Sequence, residues 1–417
     1  MLRARKSSQS EAIMKSKKTA TIGSSLLCGV AIAALLLCVE LPARAQTLTT
    51  IHSFNGGLDG SDPETGVTRD AAGNLYGTTA GSFGRVGVPS NRGTVYKLTH
   101  AESGWGITQL HLFNFFDGSG PISRVIFGPD GALYGTTSSG GNGYGIVYRL
   151  QPPISCRSGN CPWTETILHA FQGGGDGGNP SGGDLLFDQQ GNIYGTAGLG
   201  VGGSCCGVVY KLTRSGQSWS YSVIYTFQSE DDGDGPDGGV VQDASGNLYG
   251  TTFGGGGYRS GTVFELTPSG GGWTKSVIYN FTNSGDGANP LGGLIRENFV
   301  LYGTTRSGGQ YGAGTVYALT PATGGWIFTE LASLPGLAGE GSFAALAMDD
   351  AGNLYGTTWP GIVFKLTHSG SNWILTQLGQ GDTGMTSSVV VDNNGVVYGT
   401  DPGGRDYPYG AVFEITQ

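Results

Sequence analysis

Charge is scarce in this chain. Asp, Glu, Lys and Arg make up 13% of its 417 residues, too few for a long solvated helical protein. Stretches with a 3.6-residue apolar period are also few, which excludes a helical class. Histidine occurs five times, and none stands at a spacing that suggests a Cys, Ser or Asp partner, so histidine-based catalysis is not expected. Proline is ordinary at 17 and no strict G-X-Y period exists, which excludes collagen. The 38% apolar and 10% aromatic content excludes disorder. What the chain has in excess is glycine, 79 residues or about 19%, against a usual ~7%. An all-β chain with many glycine turns remains.

The N-terminus divides from the rest. Six basic residues between Arg3 and Lys18 precede an apolar run from Ile22 to Val39, followed by Ala43-Arg44-Ala45. That order reads as a secretory signal peptide over residues 1–45, cut after Ala45, with a membrane anchor as the rival reading. Seven Lys or Arg and two Asp or Glu precede residue 46, leaving fifteen basic against twenty-nine acidic residues and a net charge of −14. Such a chain repels nucleic acid and anionic membranes. It is expected outside the cytoplasm, as a secreted, periplasmic or cell-surface monomer without a membrane span. Cys156, Cys161, Cys205 and Cys206 follow the cut. In an oxidising compartment Cys156 and Cys161 would close a short loop and Cys205-Cys206 would form a vicinal bridge. Four cysteines allow three pairings, and a metal site is the rival use.

A Tyr-Gly-Thr core recurs at Tyr76, Tyr134, Tyr194, Tyr249, Tyr302, Tyr355 and Tyr398. Around each core lie four short β-branched or aromatic segments, bounded by Gly, Asp, Asn or Ser. Examples are GGDLLFD (182–188), NIYGT (192–196), GTVFELT (261–267) and KSVIYNF (275–281), the last preceded by a turn ending in Trp. Seven four-stranded antiparallel units predict a seven-bladed β-propeller over residues 46–417. Six of the seven tryptophans occupy one repeat position, and the C-terminus stops at a third strand. The missing fourth strand is TLTTIHSF (47–54), which is expected to join the C-terminal blade and close the ring.

The unit N-L-Y-G-T-T…G-T-V-F-K-L-T resembles the tandem repeat of the GloVer family of bacterial extracellular proteins. The six-residue core stands intact at 74–79, 247–252 and 353–358, and the likeness spans 47–417. The resemblance implies a secreted repeat protein and supplies no established activity.

Residues that recur in every blade read as packing, because a ligand site breaks ring symmetry. Function is therefore sought on the face with variable connectors. Five of these run Phe, a few residues, Asp-Gly, then Pro, at Asp59, Asp117, Asp176, Asp232 and Asp286. Asp232, Asp234 and Asp237 form the densest carboxylate stretch, and calcium is the cofactor they would take, the alternative being soluble turns. The second-to-third loops carry aromatic and Arg residues suited to stacking on sugars or fixing polar ligands. Tyr144, Tyr258, Arg259, Arg306, Tyr311, Trp359, Arg405 and Tyr407 are the ligand candidates; Phe83 and Arg85 belong to the same loops. No catalytic residue is assigned. The expected function is a non-catalytic binding propeller for a glycan or cell-surface protein. The alternatives are an extracellular lyase or hydrolase using Asp232 and Asp234 with Arg259 or Arg306 at the channel mouth, and a structural envelope protein.

Overall fold

The computed structural model describes residues 46–81, 91–155, 161–180, 182–198, 206–336, 341–359, 361–381 and 387–416. The leader 1–45, Phe83, Arg85, Cys156 and Cys205 lie outside them. Within them are twenty-eight strands, numbered β1–β28 in chain order, in seven four-stranded antiparallel sheets. The chain from residue 46 is a seven-bladed β-propeller. Blades 1 to 6 span residues 67–112, 126–170, 186–226, 240–280, 295–333 and 347–380.

Blade 4 shows the pattern: β14 (Val240–Gln242), β15 (Leu248–Thr252), β16 (Thr262–Ser269) and β17 (Gly272–Asn280) in spatial order. The innermost strand is shorter than the sequence segment suggests, two or three residues in each blade. The second is wholly buried, and the fourth alternates exposed and half-buried residues. Trp273 does not end a turn. It sits inside β17 opposite Pro268, and the hairpin turns on Gly270-Gly271 alone, both at positive φ (54° and 95°). Blade 7 combines β26 (Val390–Val391), β27 (Val397–Asp401) and β28 (Ala411–Thr416) with β1 (Thr47–Ser53). Thr47 faces Thr416, and Ser53 faces Ala411.

The repeated residues are held by repeated contacts. The third-strand ring lies across the glycine of Tyr-Gly-Thr, so a Cβ on Gly250 would stand 2.5 Å from Phe264 Cζ and one on Gly77 2.4 Å from Tyr96 Oη. The tyrosine before that glycine packs against the tryptophan of the following blade, as in Tyr249–Trp326 at 5.7 Å. Its hydroxyl donates to the hairpin aspartate: Tyr355 to Asp349 at 2.9 Å, while Asp349 also accepts the backbone N–H groups of Ala351 and Asn353. Burial raises the Asp349 pKa, but these hydrogen bonds and that of the Asn353 side-chain amide together bring it below the ordinary value. On the opposite face each connector proline rests on the preceding blade, Pro121 against Gly93 and Pro63 against Gly410.

Candidate functional site

The connectors entering each blade build the variable face. In five of them the aspartate of Asp-Gly folds back to accept the N–H of the residue after the phenylalanine. The pairs are Asn55 to Asp59, Asn114 to Asp117, Gln172 to Asp176, Gln228 to Asp232 and Thr282 to Asp286. The same carboxylate meets a side chain from the preceding fourth strand. His52 Nε2 lies 3.5 Å from Asp59, His111 3.5 Å from Asp117 and His169 3.0 Å from Asp176. Tyr225 donates to Asp232 at 2.7 Å and Tyr279 to Asp286 at 3.0 Å. This corrects the expectation that no histidine has an aspartate partner. The separation of six or seven residues is the signal that spacing alone did not reveal, because the connector must first fold back.

A third position completes each junction. It is the fourth-strand residue of the next blade that pairs with the third-strand Leu or Ile. Around the ring it is Ile107, Glu165, Tyr221, Lys275, Phe328, Leu375 and Leu48. Tyr221 stacks on His169 with centroids 3.7 Å apart, and Phe328 stacks on Tyr279 at 4.7 Å. Lys275 places its ammonium 2.7 Å from Asp232 Oδ1. Only between blades 1 and 2 does an acid fill this place. Glu165 lies 3.8 Å from His111 Nε2, and burial, then the nearby Asp117 charge, pushes its pKa up to about 8. Burial lowers His52, His111 and His169, while their aspartates pull the other way.

Asp232, Asp234 and Asp237 have different surroundings and do not form a converging set of ligands. Asp232 is taken by Tyr225 and Lys275, so a lysine ammonium stands where a bound cation would. Asp234 bridges to Gly254 through its backbone, and burial, then Asp234, pushes Asp237 up to about 6. Among the described residues, the one set of three His, Cys, Asp or Glu side chains that converges is His111, Asp117 and Glu165.

The axis holds a cavity of about 430 Å³ whose lining mixes small residues such as Gly238 and Ala344, aliphatic ones such as Val240 and Leu294, and the charged Glu64, Arg124, Asp184 and Arg296. Arg124 and Asp184 pair within it. Glu64 reaches both this cavity and a mouth of about 500 Å³, where burial, then Asp62, raises its pKa. Arg306 lies over the Phe343 ring at 4.7 Å. Arg259 is exposed at a positive φ of 56°.

The ligand candidates divide in two. Tyr144 covers Gly173 of the next connector, and Tyr407 accepts a hydrogen bond from Thr50 at 2.8 Å, so both are tied into packing. Tyr258 and Tyr311 stand three residues before Gly261 and Gly314 in adjacent blades, 64% and 55% exposed. Trp359 and Arg405 are exposed too. Leu58 and Phe116, 73% and 83% exposed on the same face, were missed, because a single apolar residue in a connector carries no pattern.

Residues 38–219 and 200–413 match the Gloeobacter/Verrucomicrobia repeat. No curated protein matches in sequence. Among solved structures, a chain of a mitotic checkpoint complex is 11% identical with TM-score 0.53, covering 95% of this chain and 99% of its own. The Dos1 propeller is 11% identical with TM-score 0.50, covering 88% and 95%. A puromycin-hydrolyzing peptidase of Mycobacterium tuberculosis is 12% identical with TM-score 0.51, covering 88% and 54%. These likenesses concern the fold, which serves binding proteins and enzymes alike.

Proposed function

The chain belongs to the Gloeobacter/Verrucomicrobia repeat family, and from that premise we propose that it is a secreted, non-catalytic propeller binding an extracellular glycan on its variable face. One observation carries this reading. The residues that recur are used in packing between and within blades, whereas the exposed rings that do not recur, apart from Phe299 in a hairpin of the opposite face, project from the variable face. Tyr258 and Tyr311 hold equivalent places on adjacent blades, with Trp359 in the corresponding loop of blade 6. Planar rings on rigid strand ends suit sugar faces. The Asp232–Arg259 pairing of the enzyme alternative lacks this support, since Asp232 is held by Lys275 and Tyr225. Residues 1–45 are the export signal in this proposal, and Cys156–Cys161 and Cys205–Cys206 are bridges formed after export.

The test uses protein recovered from the growth medium, its N-terminus read by mass spectrometry and expected at Gln46. It is applied to a broad glycan array and titrated with the best ligand. Tyr258→Ala with Tyr311→Ala is expected to weaken binding at least about tenfold with little change in Tm, because both side chains are exposed. Signals no higher than background across the array would overturn the proposal.

A further inference from the structure

The junction between blades 1 and 2 departs from the other six. The structure assigns a divalent transition-metal site of zinc type to His111, Asp117 and Glu165, bridging the two blades on the variable face. Three observations support it. The first is geometric: one ligand atom from each residue lies within 4.8 Å of the others. His111 Nε2 is 3.5 Å from Asp117 Oδ2 and 3.8 Å from Glu165 Oε2. Ligands about 2.0–2.2 Å from a tetrahedral zinc ion stand about 3.3–3.6 Å from one another, so small side-chain movements suffice.

The second concerns unmet polar demand. His111 Nε2 and Glu165 Oε1 are buried and make no close hydrogen bond; His52 Nε2 shares the condition at the junction with Ile107, so the carboxylate oxygen is what sets this junction apart. Two carboxylates and one imidazole in a partly buried junction form a donor set that a cation between them would satisfy. Both oxygens of Asp117 accept from Asn114 at 2.8 Å, Oδ1 from its backbone N–H and Oδ2, the oxygen nearest His111, from its side-chain amide. That holds the carboxylate in place as an outer partner does around a metal.

The third is the comparison that the ring itself provides. At the equivalent place between blades 3 and 4 the chain uses tyrosine, aspartate and lysine, and the Lys275 ammonium lies 2.7 Å from Asp232. Elsewhere Ile107 and Tyr221 face the histidine–aspartate pairs with no third ligand. One junction therefore carries its own cation, and one presents an imidazole and two carboxylates without one. Imidazole with carboxylate favours zinc or manganese over calcium, which seeks six to eight oxygens. Three protein ligands leave a fourth position for water or for an oxygen of a bound molecule.

The protein, stripped with a chelator and dialysed, is titrated calorimetrically with zinc, manganese and calcium chloride, and its Tm is followed. One equivalent of zinc is expected, with Tm raised by several degrees at saturation. Glu165→Gln is expected to weaken zinc at least about tenfold. His111→Tyr combined with Glu165→Lys copies the junction between blades 3 and 4, so it should keep the metal-free Tm while abolishing binding. Absence of stoichiometric zinc, preference for calcium, or undiminished zinc affinity in either variant would overturn the assignment. Glu165→Gln alone decides the matter if the double variant does not fold.

Discussion

At the scale of single residues, the molecule is governed by where a side chain is forbidden. The glycine of Tyr-Gly-Thr exists because an aromatic ring from the next strand crosses it. At Gly250 an added methyl would stand 2.5 Å from Phe264, a ring buried in the core with no room to withdraw. Gly250→Ala is therefore expected to cost about 2–3 kcal/mol of stability by denaturant unfolding. Gly106, on the outermost strand of blade 1, has nothing within 4 Å of a built Cβ. Gly106→Ala should change stability by less than about 0.5 kcal/mol. A loss at Gly250 no larger than that at Gly106 would show that steric exclusion does not set the glycine requirement, since chain entropy alone favours alanine at both.

At the scale of strands and connectors, legibility followed periodicity. The second and third strands were readable because their burial repeats in every blade, and a four-stranded unit cannot bury its faces alone. The connector aspartates were readable as turn formers, but their partners were not. His169 reaches Asp176 only after the chain reverses at Phe171, and Glu165 reaches His111 from another blade. Aligning fourth strands by register exposes Glu165 and Lys275 as the two charged members of an otherwise apolar or aromatic set. The histidine–aspartate connectors also predict a pH response. Burial is the largest influence on His52 and His169, and it lowers both despite Asp59 and Asp176. A depressed native pKa means that the unfolded chain takes up protons first as pH falls. Stability is then full above the ordinary histidine value of about 6.5 and is lost as pH falls toward the native values. His52→Tyr with His169→Tyr installs the residue that Tyr225 and Tyr279 supply in other junctions. Urea unfolding between about pH 7 and pH 5 should show a shallower decline in that variant. An identical decline would place the response elsewhere.

At the scale of the whole molecule, stability depends on a sheet built from both chain ends. β1 pairs with β28 from Thr47–Thr416 to Ser53–Ala411, and Phe54 N–H donates to Gly410 O at 2.9 Å. Leu48 and Ile415 pack beside Gly379 of the neighbouring blade, so the strand is joined to two blades at once. Without residues 46–53, β28 becomes an open edge with unpaired backbone groups, the arrangement that most invites association between copies. A chain beginning at Phe54 is expected to lose roughly 10 °C or more in Tm and to aggregate on heating. The loss should come from the opened ring and not from shortening alone. A circular permutant separates these causes: residue 417 is linked to residue 46, and new ends are cut between Gly270 and Gly271. Neither glycine has a neighbour within 4 Å of a built Cβ, so the cut disturbs little. It makes β17 the first strand and β16 the last, which moves the same two-ended sheet from blade 7 to blade 4. That permutant should keep its Tm within a few degrees while the truncated chain falls. Equal stability of truncated and intact chains would show that the ring does not rely on its shared sheet.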